Sequence, residues 1–403
     1  MQTHSQESRH HCWLTGISKP LDHPSIEETF QNPLLHDMTT TTLERYASLL
    51  VHYCLELKPG DQVYVNTTLL AEPLVREVYR EIIKAGANAE IKFSMRGANK
   101  IYFDHANDAQ LDYLSPISDK VIREFDAYLS IRAPYNLRED SSIDPAKRKR
   151  RALASQPLNQ VFSERTAAGD LTRSLCQYPT DASAQEAGMS LEEYTTFVFG
   201  ACYLHEKDPS AAWRKVRTQQ QHYVDILNTK ETIRYRNERT DISFSVAGRT
   251  WINSDGRVNM PSGEVFSGPV EESVNGVVHF DYPSIYMGRE VSGVTLHVEQ
   301  GHIKSWTAER GQDVLDEVMA IKGARYFGEV AIGTNYQIQQ PTKNILFDEK
   351  IGGTIHMAVG QSYIQTGGRN ESPIHWDLIA DMTASGEIWA DDELIYERGR
   401  FVI

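Results

Sequence analysis

Between Asn344 and Asp381 the sequence places Glu349, His356, Tyr363, His375 and Asp377 among glycines and turn formers. Imidazole and carboxylate donors on short, glycine-punctuated elements are what a catalytic site for a divalent metal of the zinc, cobalt or manganese kind requires. The spacing His375-Trp376-Asp377 adds a geometric expectation: an extended backbone turns the histidine and the aspartate to one face and the indole to the other. Two earlier carboxylates sit among small or apolar neighbours, Glu264 in Met260-Pro-Ser-Gly-Glu-Val-Phe266 and Glu329 in Phe327-Gly-Glu-Val-Ala-Ile332. A bare charge there is costly unless it is paired or holds a metal. Taken singly, each glutamate reads first as an exposed loop residue. Two histidines and several such carboxylates in one domain favour the metal.

The number of metals follows from the carboxylates. His356, His375 and Asp377 alone would make the two-histidine, one-carboxylate triad of mononuclear Fe(II) oxygen chemistry, so a ring-cleaving dioxygenase is one alternative. Glu264 and Glu329 supply negative charge that a second divalent ion needs and a single iron does not. No GxSxG, HExxH or P-loop occurs, which leaves those mechanisms without a carrier. His279, His297 and His302 read as structural or surface histidines, Glu271 and Glu272 as solvated, and Cys54 and Cys202 as core fillers.

The elements that must position these residues divide the chain near residue 235. Before it, Leu43, Ala47, Leu50, Val51 and Cys54 recur at helical spacing from about Thr42, and Pro59-Gly60 closes that helix. A strand at Asp61–Val65, a helix begun by Glu72-Pro73 and a strand at Glu90–Phe93 read as a right-handed βαβ unit, hence a parallel sheet. Ala127–Ile131 is a further strand, Asp144-Pro145 opens a helix carrying the basic run Lys147–Arg151, and Tyr178–Met189 reads as a loop. A capping box at Ser190–Glu193 starts helical sequence that runs to about Lys230. From Thr240 the texture becomes short alternating strands, with a tight hairpin at Gln300-Gly301, one helix near Gln312–Met319 and a last hairpin around Asp391-Asp392. The expected architecture is α/β: an extension over 1–40, an N-terminal α/β domain with a mainly parallel sheet over 41–235, and a C-terminal mixed α+β domain carrying the metal site over 236–403.

Composition narrows the class. A chain of 403 residues with 40% hydrophobic residues is long enough for a sizeable core. A net charge of −14 argues against a nucleic-acid partner, since phosphate contacts need a basic face. No apolar run approaches membrane-spanning length and no secretory signal is evident, so no membrane association is expected. Four scattered cysteines suit a reducing cytoplasm. The first forty residues, with His4, His10, His11, His23 and His36, read as a poorly ordered tail.

From Thr42 to the C-terminus the sequence resembles the aminopeptidase T and aminopeptidase S family of dinuclear metalloaminopeptidases. The segments that carry the resemblance are Leu57–Asp61, Ala71–Val75, Tyr178–Thr180 with Gln185–Met189, Met260–Phe266, the Glu329 strand and the His356–Asp377 block. The resemblance implies metal ligands at Glu264, Glu329, His356, His375 and Asp377, with Glu349 at a further acidic position, and Tyr363 as the catalytic tyrosine. It implies two divalent metal ions per chain, zinc first, with cobalt, manganese or magnesium compatible. Glu329 would bridge the ions, and either Glu264 or Glu349 would shuttle the proton. Peptides with a free amino terminus are the implied substrates and a homodimer the implied assembly. An inactive peptide-binding homologue is the remaining alternative, disfavoured because every ligand position is filled.

Overall fold

The computed structural model describes residues 33–403, with side chains from Thr41 onward. The stretch 1–32, which holds Cys12 and four of the tail histidines, lies outside the described residues. The first helix runs Pro33–Leu49, so it begins before Thr42, and a π-helical turn at Leu50–Cys54 ends it. Thr41–Ile403 forms one compact unit.

Four strands, β1 (Gln62–Thr68), β2 (Asn88–Ser94), β3 (Ala127–Arg132) and β4 (Thr172–Gln177), lie parallel in the order β2-β1-β3-β4. Their register puts Val63, Val65, Ala127 and Leu129 on one face, packed on Leu74, Val75, Val78 and Ile82 of the helix Glu72–Lys84. That helix starts at Glu72-Pro73, where a missing N–H costs nothing. The opposite face changes character along its length. At the amino ends Tyr64 and Tyr128 pack with Val121 and Phe125; at the carboxyl ends stand Asn66, Thr68, Ser130 and Arg132.

The basic run on the helix Pro145–Ala168 ties down its neighbours, with Lys147 Nζ donating to the Phe103 carbonyl. Arg150 pairs with Asp112 and Arg151 donates to the Leu111 and Tyr113 carbonyls, which binds the helices at 98–112 to it. The stretch read as a loop after Tyr178 contains the helix Asp181–Ala187, capped by the Thr180 hydroxyl and ended by Gly188 in the left-handed region. The capping box at Ser190 and Glu193 forms as expected and opens Leu191–Ala201. The turn over 202–208 then separates that helix from Pro209–Leu227, whose N-cap is Asp208.

The remaining strands are β5 (Thr232–Arg236), β6 (Asp241–Ser245), β7 (Ile252–Ser254), β8 (Asn259–Met260), β9 (Glu264–Ser267), β10 (Asn275–Phe280), β11 (Ser284–Tyr286), β12 (Arg289–Glu299), β13 (His302–Arg310), β14 (Phe327–Gly333), β15 (Thr354–Gly360), β16 (His375–Asp381), β17 (Glu387–Ala390), β18 (Glu393–Glu397) and β19 (Arg400–Phe401). β8 returns to the first sheet and pairs parallel with β4. The others form antiparallel sheets: one of nine strands running β11-β12-β10-β6-β5-β17-β18-β19 with β13 on β12, and one of five in the order β16-β15-β14-β9-β7. The α/β expectation, a parallel sheet first and the acidic and histidine cluster on later strands, therefore describes the molecule, and the later sheets are antiparallel. Val330, Ile332, Ile355, Met357, Leu378 and Ala380 of the five-stranded sheet face a core shared with the nine-stranded one. The site occupies the other face.

Candidate metal centre

The register of the five-stranded sheet dictates which side chains meet. Cross-strand partners share a face, and so do residues two apart on one strand. Ala331 opposes His356, which opposes Ile379; Gly333 opposes Glu264, and Ala358 opposes both Glu329 and Asp377. Counting by twos, Glu264, Glu329, His356, His375 and Asp377 all project from one face. Between them that face carries Ala331, Gly333 and Ala358, residues too small to fill the space. The register shifts just before Glu329, a bulge of the kind that re-aims a side chain. Trp376 points the other way, into the core, where its indole N–H donates to Ser284 Oγ at 2.8 Å. The extended His-x-Asp reading holds.

Glu349 arrives differently. It caps the short helix Ile345–Asp348, which is held down by Phe347 against Tyr194 and Phe197. Six expected ligands thus converge in three overlapping groups: Glu264 with Glu329 and His356, Glu329 with His375 and Asp377, and Glu349 with His356 and Asp377. Within each group the donor atoms lie within 4.8 Å of one another. His356 Nε2 lies 3.2 Å from Glu264 and 3.6 Å from Glu329. His375 Nε2 lies 3.0 Å from Glu329 and 3.3 Å from Asp377. Its other nitrogen, Nδ1, is 2.8 Å from the Gln361 carbonyl and donates to it, which turns Nε2 toward the carboxylates.

Electrostatics keep the cluster together in the metal-free chain. Burial works against an imidazolium at His356, yet hydrogen bonds to Glu264 and Glu329 outweigh it and raise the pKa to about 10. Burial likewise opposes charge on His375, and Asp377 and Glu329 raise it to about 11. Burial pushes the Glu264 carboxyl up, but the Lys350 charge and His356 bring it down to about 2. Burial dominates at Glu349, with Glu264 and Asp377 adding to it against Lys350, and lifts that carboxyl to about 8. Protons on the two histidines thus occupy the positions at which a cation would interact with the same carboxylates.

Two carboxylate atoms test whether a metal fits. Glu264 Oε2 and Asp377 Oδ1 are buried and face no donor other than the imidazole Nε2 of His356 at 3.2 Å and of His375 at 3.3 Å. A buried carboxylate oxygen whose one neighbouring donor must be a protonated imidazole is expensive, and a divalent cation would satisfy both. The mixed imidazole and carboxylate donor set suits such an ion.

Tyr363 stands at the mouth, 39% exposed. Its ring centroid lies 4.9 Å from that of His375 and 5.7 Å from that of Phe266. Partial burial raises its hydroxyl pKa, and the surrounding carboxylates of Glu329, Asp377, Glu349 and Glu264 raise it further, so the phenol stays neutral. His279 and His302 lie apart from the cluster: His279 Nδ1 bonds to Thr295 and His302 stacks edge-on to Tyr326.

The sequence reading missed one group at the site and misjudged another. Lys350 is fully buried; its Nζ lies 2.6 Å from Glu264 and also contacts Glu349. In the sequence it closes an Asp-Glu-Lys triplet that looks like ordinary surface, and nothing local marks it. Glu271, expected to be solvated, is buried. It pairs with Arg249 and accepts from the backbone N–H groups of Arg369 and Asn370, fixing the loop between Tyr363 and His375. Its burial depends on a loop about a hundred residues distant, which local pattern cannot reveal. Gly263 permits the approach of Glu264: at φ 118° it has no Cβ, and one would lie 2.6 Å from Asn335 Cβ.

A buried cluster of imidazoles and carboxylates with shared donors, on one face of an antiparallel sheet, is a candidate divalent-metal site. A family model described as thermophilic metalloprotease (M29) matches residues 39–401, and the chain belongs to that family. It is 29% identical to aminopeptidase 2 of Geobacillus stearothermophilus, over 85% of this chain and 93% of that one. It is 27% identical to aminopeptidase AmpS of Bacillus subtilis, over 91% and 99%. Among solved structures, wild-type AmpT from Thermus thermophilus shares the fold with a TM-score of 0.78 at 24% identity, covering 90% of this chain and 99% of that one. Among the described residues no helix is long and apolar enough to cross a membrane.

Proposed function

We propose that the chain is an aminopeptidase that removes the amino-terminal residue of peptides at a centre of two divalent metal ions. The sharing of donors carries this reading. Glu329, His356 and Asp377 each belong to two of three overlapping groups, more ligands than one ion would use. Glu264, Glu329, Glu349, His356, His375 and Asp377 would hold the pair, Glu329 being the carboxylate common to the Glu264 and His375 groups. Zinc is our first choice, and cobalt, manganese or magnesium suit the same donors. Divalent metal bound there supplies a water nucleophile at neutral pH, a polarised scissile carbonyl and a seat for the substrate's free amine.

The chain's own groups do the rest. The neutral Tyr363 phenol donates a hydrogen bond to the developing oxyanion. Lys350 holds Glu264 ionised, and either Glu264 or Glu349 would shuttle the proton. The homodimer and cytoplasmic setting implied by the resemblance belong to the same reading. A single iron would leave Glu264, Glu329 and Glu349 without a role, and the relatives' names speak for peptide hydrolysis.

Elemental analysis, joined to activity on unblocked peptides before and after chelation and re-addition, tests the reading. About two zinc-like ions per chain are expected; one iron with oxygen consumption overturns it. An acetylated amino terminus should block turnover, and internal cleavage of such a peptide would mark an endopeptidase. Loading should also expel the protons on His356 and His375, visible as heat that depends on the buffer's ionisation enthalpy.

A further inference from the structure

A cleft of about 600 Å³ opens beside the metal cluster, lined on one side by His375 and Asp377 and on the other by the carboxyl ends of β1, β3 and β4. Strand order β2-β1-β3-β4 makes the gap between β1 and β3 the point where the chain reverses its winding. In open parallel sheets ligands settle outside the carboxyl ends of strands at such a point. The face presented there is polar. Register pairs Ser94 with Thr68, Asn66 with Ser130 and Arg132 with Gln177, all on one side of the sheet.

The charged groups lining this cleft are mostly committed elsewhere. Lys343 pairs with Glu290 at 2.7 Å, Glu186 with Arg138 at 2.7 Å, and Asp348 accepts from Thr342. His375 and Asp377 belong to the metal cluster. Arg132 is different: it lines the cleft, stays exposed at the end of β3, and among the described residues its guanidinium has no ion-pair or hydrogen-bond partner. An exposed, unpaired guanidinium on a cleft wall matches a carboxylate, which it can bind through two parallel N–H donors.

We infer that Arg132, at the β1/β3 switch point, anchors a carboxylate of the peptide substrate while the amino end of the same peptide lies at the metal cluster. The inference rests on the aminopeptidase reading and specifies its substrate: a short peptide bearing a carboxylate. That carboxylate is the C-terminus of a di- or tripeptide or an acidic side chain near the amino end, two sources of one chemistry.

The test measures kcat and KM of the metal-loaded wild type, Arg132→Met and Arg132→Lys on four peptides: leucyl-glycine, leucyl-glycinamide, and C-terminal amides with glutamate first or second. The wild type should prefer a carboxylate-bearing substrate over the neutral amide by about 10- to 100-fold, as expected for a charged hydrogen bond. The preference should appear mainly in KM, collapse in Arg132→Met and return in part with Arg132→Lys. Preference for leucyl-glycine identifies the C-terminal carboxylate; preference for a glutamyl amide identifies the side chain. Equal rates on all four substrates in wild type and Arg132→Met would overturn the anchor while leaving the aminopeptidase reading intact. A wild type that cleaves none of them would defeat that reading instead. Calorimetric binding of leucyl-glycine against its amide then decides the anchor separately: a preference lost in Arg132→Met supports it, and none refutes it.

Discussion

The two sheets that wall the cleft carry their polar groups under opposite conditions. On the five-stranded antiparallel sheet the polar face is charged and dry: Glu264, Glu329 and His356 are all at most 5% exposed. On the parallel sheet the cleft-lining residues Asn66, Thr68, Ser94, Ser130, Arg132 and Gln177 are mostly neutral and stand at the carboxyl ends of their strands. Buried charges survive only by holding one another or a cation. The first face is therefore a mutually dependent network, and the second is a set of independent groups. Chemistry that needs a metal and tuned protons belongs on the first, and recognition that tolerates substitution belongs on the second.

Breaking the network should have the largest effect. Glu329→Gln removes the donor shared by two groups and should lower activity by at least about 100-fold, since losing even an outer-shell partner of a metal costs up to that much. The helical and sheet signal in circular dichroism should be unchanged. Full activity in this variant would sink the dinuclear mechanism.

Lys350→Met strands two carboxylates without their cation. It should destabilise the metal-free protein by about 3–5 kcal/mol, the cost of breaking a buried pair, and saturating metal should restore part of the loss. Urea unfolding with and without metal measures both; no destabilisation would mean that Lys350 contributes nothing to the network.

Asn335→Ala cuts a tie between the two regions. Its amide donates to the Ala201 and Ser262 carbonyls at 3.0 and 2.9 Å, linking the helix Leu191–Ala201 to the loop that delivers Glu264. About 1–3 kcal/mol should be lost, with a measurable fall in metal affinity by competition with a chelating dye. Ser190→Ala should have the smallest effect. It removes one half of the capping box at the exposed start of the helix Leu191–Ala201, costs about 1 kcal/mol in thermal unfolding and leaves metal affinity alone. A shift in metal affinity from that variant would show that the two regions are coupled more tightly than their separate polar faces suggest.

Much of this was readable beforehand because the signals are local. Pro73 and the face Leu74, Val75, Val78 and Ile82 announce a helix. The capping box at Ser190 appears in the structure as such, and Gln300-Gly301 turns its hairpin with both residues at positive φ. The loop expected at Tyr178–Met189 instead holds a helix of seven residues, too short for its periodicity to stand out from turn chemistry. The cluster was legible by residue type, and His375-x-Asp377 also by face, because strand geometry alternates with a period of two.

Sequence alone determined a parallel βαβ unit and a later run of short strands, which follow from periodicity and caps within short windows, and it singled out six candidate donors by residue type together with the family resemblance. Only the tertiary structure decided that strands separated by up to about a hundred residues bring those donors to one face. It also decided that Lys350 and Glu271 are buried and that Arg132 looks across a cleft at the site. Cross-strand register and burial depend on contacts between distant segments, and no local window contains them.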